Sequence, residues 1–147
     1  MKITEGGVTA AKGFTANGIH CGIRKNKTKR DLSLIFSSVP ANAASVYTTN
    51  LVKGAPLTVT KKHLEDGKAQ AVICNSGNAN TCNANGIEIA EKMSELTAAA
   101  LGIQPEDVIV ASTGVIGQPL SLEPIAAGME ALAAGLGAHS GDRKSVV

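Results

Sequence analysis

The sequence predicts an α/β domain in which helices pack in a layer on a mixed sheet. Residues 69–74 and 107–111 are short apolar runs typical of buried strands, and each precedes a segment whose apolar residues have helical spacing. Residues 31–39 instead alternate between apolar and polar side chains, as a half-buried strand does. Strands that come first and then alternate with helices are typical of a layered α/β domain with a mixed sheet.

Composition limits both the core and the classes of partner. Of the 147 residues, 44% are hydrophobic but only 2% are aromatic, so the core must be built from Ala, Val, Ile and Leu. A net charge of +2 does not favour nucleic-acid binding, and the basic cluster at residues 24–30 has no interleaved aromatic side chains to stack on bases. We interpret that cluster as a solvated loop. Because no apolar run of about 18 residues and no signal-peptide pattern occurs, we expect a cytoplasmic protein that binds neither nucleic acid nor a membrane.

The three cysteines, Cys21, Cys74 and Cys82, are irregularly spaced. An odd number without a repeated spacing argues against a disulfide framework. A zinc site formed together with His20 is disfavoured because the usual paired spacings of zinc ligands are absent. We therefore expect free thiols, no metal site and no cofactor.

Three strands are predicted in the N-terminal half, at residues 18–23, 31–39 and 44–49. A turn at residues 40–42 joins the last two as a hairpin. Residues 57–64 are ambiguous, with Thr60 able to cap a short helix.

Two longer helices are predicted in the C-terminal half. Asn85 and Gly86 open the first, whose apolar residues follow a 3.6-residue period, and Gly102 suits the position just past its end. Ser121 is the expected N-cap of the second helix, which runs to about residue 135.

Residues 110–117 (VASTGVIG) are the most informative stretch of the chain. They are interpreted as an apolar strand that ends in a small polar turn. Such a turn can present backbone N–H groups and a hydroxyl with little side-chain bulk, as an oxyanion hole requires. Thr113 can offer its hydroxyl and its N–H, and Gly114 can offer an N–H that is open to close approach. The alternative is an ordinary strand-to-loop turn, because such short motifs are common.

A second turn of the same kind follows the strand at residues 69–74. Its polar residues could line an active site or bind a polar substrate, and the candidates are Asn75, Ser76, Gly77, Asn78 and Asn80. The alternative is an asparagine-rich turn that satisfies its own backbone. A phosphate-binding loop is disfavoured because neither glycine-rich phosphate motif is present.

The chain shows no evident nucleophile with a base. His20, His63 and His139 are scattered, and each is expected at the surface or in a loop. The carboxylates form no paired arrangement. The sequence therefore carries part of a site without a nucleophile of its own.

Five stretches, in one order, resemble the ArgJ family, the bifunctional glutamate N-acetyltransferase/ornithine acetyltransferases of arginine biosynthesis. They extend over most of residues 6–130 and read GVTA at 7–10 with GF at 13–14, AASVYTT at 43–49 with Asn50, KGAPL at 53–57, QAVICNSGNAN at 70–80 and ASTGVIG at 111–117. Each stretch is weak by itself, but five in the same order are specific.

The resemblance implies a fold, a reaction and a partner. The fold would be a layered α/β sandwich like that of other self-cleaving N-terminal-nucleophile enzymes, incomplete in this chain. A family precursor cuts itself before a threonine, which becomes the N-terminal nucleophile of the β chain in an α2β2 heterotetramer. That threonine takes acetyl from N-acetylornithine and passes it to glutamate, and some members also accept acetyl-CoA. The family's oxyanion-hole pair corresponds to Thr113 and Gly114.

The sequence departs from the family beyond residue 130. The family's α chain continues through a threonine-rich segment and a lysine- and glycine-rich segment to the cleavage site, and neither is present in residues 131–147. We therefore expect residues 1–147 to form a single N-terminal α-chain domain with a mobile, truncated end at 131–147, and the nucleophile to lie in another chain. Two alternatives remain open: an amidase or aminopeptidase relative on a similar fold, and a non-catalytic small-molecule binding domain that uses the turn at 75–80.

Overall fold

The computed structural model describes residues 7–137, which form a four-stranded sheet and three α-helices. In chain order these elements are β1 (Phe14–Ile19), β2 (Leu32–Asn42), α1 (Ala55–His63), β3 (Lys68–Asn78), α2 (Gly86–Leu101), β4 (Val108–Val115) and α3 (Glu123–Ala134). Short 3-10 helices lie at Gly7–Thr9, Leu64–Asp66 and Pro105–Asp107.

The strands form one sheet in the order β1–β2–β3–β4. The pairs β1–β2 and β2–β3 are antiparallel, whereas β3 and β4 are parallel and are connected through α2. A parallel pair needs such a crossover because both strands start from the same end of the sheet. The predicted α/β class with a mixed sheet is confirmed.

Apolar side chains on one face of the sheet form the core. Leu34, Ile73 and Val110 are neighbours across three adjacent strands, and each is at most 3% exposed. Met93 of α2 and Ile125 of α3 pack in the same cluster, whose buried members in the described residues include no aromatic side chain. The core is thus aliphatic, as the composition predicts. Within residues 7–137, no helix combines the length and the apolar character needed to cross a membrane.

Helix α1 is attached to β4 by polar bonds. Thr60 Oγ1 donates to the carbonyl oxygen of Val110 (2.9 Å) and accepts the N–H of the same residue (3.0 Å). Nδ1 of His63 lies 2.8 Å from the carbonyl oxygen of Val108. Because β4 is an edge strand of the described sheet, its outward backbone groups would otherwise be unpaired. Two expectations are therefore wrong: Thr60 lies inside the helix rather than capping it, and His63 is buried rather than at the surface.

The predicted ends of the two longer helices have different outcomes. Helix α2 spans Gly86–Leu101, and Gly102 follows it with a φ of 69°, the left-handed conformation that glycine tolerates after a helix. The N-cap of α3 is Leu122, with no side-chain cap bond, so the prediction of Ser121 is wrong. Pro124 lies in the first turn of α3, where its missing N–H requires no cap.

The prediction of a turn at residues 40–42 is wrong, because β2 continues through these residues. The register with β3 shifts between Phe36 and Ala41, and Ala41 then pairs with Ala69. Pro40 lies inside this irregularity, where its missing N–H leaves no ladder hydrogen bond unmade.

The strand predicted at residues 44–49 is also wrong. No strand is found between β2 and α1, and Val46 and Leu51 in this segment are 98% and 96% exposed. An alternating pattern forms a strand only where a partner is available, and β2 already has β1 and β3 on its two sides.

The first strand begins four residues earlier than predicted and ends at Ile19. After it, the backbone N–H groups of Cys21, Gly22 and Arg24 donate to the side chain of Asp31 rather than to a neighbouring strand. The apolar pattern of residues 18–23 therefore continues past the point where strand pairing stops.

The last described residues return to the first strand. Helix α3 ends at Ala134, and Gly137 then exchanges two backbone hydrogen bonds with Ala16 of β1. Residues 138–147, the remainder of the segment expected to be mobile, lie outside the described residues.

Candidate functional site

The two polar motifs singled out in the sequence lie side by side at the carboxyl ends of the parallel strands β3 and β4. Their register partners are Asn75 with Ser112, Ser76 with Thr113 and Gly77 with Gly114. Both motifs were predicted as turns, and both are strand over most of their length, since β3 runs to Asn78 and β4 to Val115. Each strand supplies backbone partners that a local turn would lack. The carboxyl ends of parallel strands are where α/β proteins commonly bind ligands.

Two glycines bring the backbones of β3 and β4 close together. The φ angles of Gly77 and Gly114 are 108° and 130°, a region that glycine adopts without strain. A Cβ atom on Gly114 would lie 2.4 Å from the carbonyl carbon of Gly77 and 2.6 Å from the backbone nitrogen of Asn78. Gly114 therefore admits no side chain unless β3 moves, and this contact determines where its N–H lies.

The Thr113–Gly114 pair lies at the surface of the part of the chain that the structure describes. Both residues are exposed, and the apolar Val115 and Ile116 that follow are 49% and 62% exposed. A polar pair flanked by exposed apolar side chains can receive another chain or a ligand.

The candidate asparagines are hydrogen-bonded within the chain. Asn75 Nδ2 donates to the carbonyl of Asn78 (2.9 Å), Asn78 Nδ2 donates to that of Gln118 (2.9 Å), and Asn80 Nδ2 donates to that of Gly86 (2.8 Å). All three asparagines are buried. They attach the end of β3 to the start of α2 and to the loop after β4. Their bonds therefore hold the segments that adjoin the site. Their contact with a substrate stays a prediction.

A polar cleft of about 200 Å³ opens beside Gly77. Its lining residues are Gly22, Ile23, Gly77, Asn78, Gln118, Pro119, Leu120, Ser121 and Pro124. The turn after β1 therefore borders the same space as the end of β3.

Asp31 organises this turn, and its role was not predicted from the sequence. Its fully buried carboxylate accepts the N–H groups of Cys21 (2.7 Å), Gly22 (3.3 Å) and Arg24 (2.9 Å), and lies 3.0 Å from Nδ1 of His20. Burial by itself raises the pKa of Asp31, but the donors of Arg24 and Cys21 and the charge of His20 outweigh it, so that this pKa lies below its ordinary value. The position of an acidic residue directly before a buried strand was the feature of the sequence that could have indicated this role.

Arg24 contacts the end of β3, unlike the solvated loop residues that follow it. Its guanidinium donates to Ser76 Oγ, and its side chain lies against Gly77. The remaining basic residues of the cluster are exposed: Lys25, Lys27, Lys29 and Arg30. The solvated-loop interpretation is therefore correct for these four residues and wrong for Arg24.

Cys21 and Cys74 are not activated nucleophiles. Burial, followed by the charge of Asp31, raises the pKa of Cys21 to about 12, and burial raises the pKa of Cys74. Both thiols are therefore protonated at neutral pH and poorly reactive. Cys82 is exposed, and all three cysteines are free. Within residues 7–137, no three His, Cys, Asp or Glu side chains are placed to hold a metal ion; His139 lies outside this range.

The sequence model of the ArgJ family matches residues 15–145 of this chain. The chain belongs to the ArgJ family. The resemblance inferred from the five ordered stretches is thereby confirmed. Since the match covers most of the chain, the interpretation as an amidase or aminopeptidase relative loses its support.

Curated relatives extend the match almost from end to end of this chain. The "Arginine biosynthesis bifunctional protein ArgJ" of Symbiobacterium thermophilum is 50% identical over 143 residues, which are 96% of this chain and 36% of that protein. The protein of the same name from Gloeobacter violaceus is 51% identical over 130 residues, 87% of this chain and 32% of that protein. This chain thus spans about a third of the length of these relatives.

Two solved structures share the fold. The ArgJ structure from Bacillus halodurans superposes with a TM-score of 0.89 at 39% identity, over 99% of this chain and 78% of that chain. Ornithine acetyltransferase from Mycobacterium tuberculosis, in complex with ornithine, also gives 0.89, at 34% identity, over 97% of this chain and 78% of that chain. The sheet and helices described above are therefore an ArgJ-type α/β fold.

Proposed function

We propose that this chain is the N-terminal, α-chain part of an acetyltransferase of arginine biosynthesis, in which Thr113 and Gly114 form the oxyanion hole. The observation that carries the proposal is the exposed Thr113–Gly114 pair at the end of β4, held against the backbone of Gly77. Family membership and the names of the relatives supply the reaction class.

The proposed reaction consists of two acetyl transfers through a threonine of a β chain made from the same precursor. The threonine hydroxyl oxygen attacks the acetyl carbonyl carbon of N-acetylornithine and loses its proton. The C–N bond then breaks, and ornithine leaves with a proton on its amine while acetyl remains as a threonine ester. The amine of glutamate attacks this ester, the C–O bond breaks, and the threonine oxygen regains a proton as N-acetylglutamate forms.

Each attack places negative charge on the former carbonyl oxygen. The hydroxyl of Thr113 and the N–H of Gly114 would donate hydrogen bonds to that oxygen. Donors that are fixed before the reaction stabilise this charge without the cost of reorganisation. The backbone contact of Gly114 with Gly77 supplies such rigidity. The proposed enzyme acts in the cytoplasm, without a cofactor, as an α2β2 assembly.

A non-catalytic binding domain built on residues 75–80 has less support. The side-chain amides of Asn75, Asn78 and Asn80 already donate to backbone carbonyls within the chain. A ligand that accepted from these amide groups in place of the carbonyls would have to displace buried bonds, and each displaced bond costs free energy.

The test is Thr113→Val in the complete enzyme, with the α and β parts produced together. We expect kcat for acetyl exchange between N-acetylornithine and glutamate to fall by about 10²–10³-fold, as for other oxyanion donors. KM should change little, because the donor acts in the transition state. Thr58→Val, an exposed position on α1, is the matched control. A kcat for Thr113→Val within about twofold of that control would contradict the proposal.

A further inference from the structure

Asp31 connects the turn after β1 to the end of β3. Its side chain accepts three N–H groups of the turn, at Cys21, Gly22 and Arg24. Its own carbonyl oxygen accepts the N–H of Ser76 (2.9 Å). One fully buried residue therefore sets the position of Arg24 relative to Ser76.

The side chain of Arg24 continues this connection. Its guanidinium donates to Ser76 Oγ. A Cβ on Gly77 would lie 2.9 Å from Arg24 Cγ and 3.1 Å from Ile23 Cγ2, so the turn lies directly on the Gly77 backbone. Neither of the ion pairs found in residues 7–137 includes Arg24. Its positive charge is therefore not neutralised by a carboxylate of the described chain.

Ser76 and Gly77 are in turn the neighbours of the proposed oxyanion donors. Ser76 pairs in parallel register with Thr113, and Gly77 pairs with Gly114 at the close contact described above. Register partners in a sheet project their side chains to the same face. Ser76 Oγ accepts from Arg24, and within residues 7–137 it is joined to Thr113 by strand register and not by a side-chain hydrogen bond.

We infer that Arg24 is a positioning residue for the oxyanion hole. It acts on Thr113 through Ser76 and on Gly114 through Gly77. This inference rests on the proposed function. The guanidinium holds the Ser76–Gly77 segment against β4, and it thereby fixes the two residues that pair with Thr113 and Gly114. Its charge also favours the negative charge that develops nearby in the transition state.

The test compares Arg24→Gln, Arg24→Lys and Arg30→Gln in the complete enzyme. Arg30 is an exposed arginine of the same loop. Arg30→Gln therefore removes the same charge as Arg24→Gln but does not remove the contact with Ser76. We expect Arg24→Gln to lower kcat by about ten- to a hundredfold, in the range caused by small misplacement of a catalytic group. KM for N-acetylornithine should stay near that of the wild type. Arg24→Lys should recover part of the loss because the charge and one donor remain.

A double variant with Thr113→Val distinguishes positioning from general damage. If Arg24 acts through Thr113, Arg24→Gln should lower kcat much less in the Thr113→Val background than in the wild type. Equal fold losses in the two backgrounds would overturn the action of Arg24 through Thr113, and a kcat for Arg24→Gln equal to that of Arg30→Gln would overturn the whole inference. Both results leave the proposed function intact. A kcat for Thr113→Val within about twofold of the Thr58→Val control would instead contradict the proposed oxyanion hole.

Ser76→Ala provides a second route if Arg24→Gln does not fold. It deletes only the hydroxyl that receives the guanidinium and leaves the turn held by Asp31 unchanged. We expect a fall in kcat in the same direction with little change in KM. An unchanged kcat would overturn the relay through Ser76 and Thr113.

Discussion

Replacing Asp31 with Asn would change the most heavily hydrogen-bonded buried carboxylate of the described chain at almost constant volume. In the native turn one carboxylate oxygen accepts from Cys21, while the other accepts from Gly22 and Arg24 and lies near His20. An amide has one oxygen and one NH2 group, so it can satisfy only one of these two sides.

The expected cost follows from the distances. The amide oxygen can keep the short bond from Cys21 (2.7 Å), which leaves NH2 facing the N–H groups of Arg24 (2.9 Å) and Gly22 (3.3 Å). A hydrogen bond to a charged group contributes about 1.5–3 kcal/mol. If the Arg24 bond counts in full and the long Gly22 bond in part, the free energy of unfolding should fall by about 2–4 kcal/mol.

Urea unfolding followed by circular dichroism measures this change at pH 7. Asp66→Asn is the control, because that exposed side chain accepts one N–H, from Lys68, which an amide oxygen can also accept. The control should lie within about 0.5 kcal/mol of the wild type. A loss for Asp31→Asn no larger than that of the control would refute the account of how the turn is held.

The pH dependence supplies a second check of Asp31. Its pKa is lowered in the folded state, so its charge stabilises the fold above the unfolded pKa of about 3.9. This stability is lost as the pH falls from that value through the lower folded pKa. The difference between wild type and Asp31→Asn should therefore shrink in strong acid. A difference that stays constant down to pH values of about 2 would contradict the assigned shift.

Three further predictions concern the site and its supports. Gly114→Ala in the complete enzyme should lower kcat at least about a hundredfold, because the new methyl meets the neighbouring backbone at 2.4 Å. Gly117→Ala, also at positive φ but with open space around it, should retain most of the activity measured in the same acetyl-transfer assay. Thr60→Val should lower the urea-unfolding free energy by about 2–4 kcal/mol, since two buried backbone groups of β4 lose their partner; a change below about 0.5 kcal/mol would show that these bonds contribute little. In the folded chain at pH values of about 8, a thiol reagent should label Cys82 well before Cys21, whose pKa is about 12, as followed by peptide mass spectrometry; equal labelling rates would contradict the raised pKa.

Local sequence was sufficient for the elements whose signals are contained within themselves. The apolar period of α2 and the glycine after it predict that helix and its end, because helical hydrogen bonds and a left-handed cap depend only on neighbours in the chain. The alternation of residues 31–39 similarly predicts most of β2. The five ordered stretches also identify the family.

The pairing between segments that are distant in the chain could not be predicted from local sequence. Residues 44–49 have a strand pattern but no partner, and residues 112–115 have a turn composition but a strand partner 37 positions away, as in the pair Asn75 and Ser112. Whether a polar, glycine-containing segment becomes a turn or a strand depends on that partner's backbone, which no local pattern encodes.

For the site, sequence by itself determined which residues can donate to an anion, and tertiary structure decided which of them meet. Thr113 and Gly114 were identified from their chemistry alone. Their contact with Ser76 and Gly77, and the roles of Asp31 and Arg24, follow only from the parallel pairing of β3 with β4 and from the buried carboxylate that folds the turn onto β3. The physical reason is that each of these contacts joins residues far apart in the chain. Their geometry is therefore a property of the packed sheet and not of any segment within it.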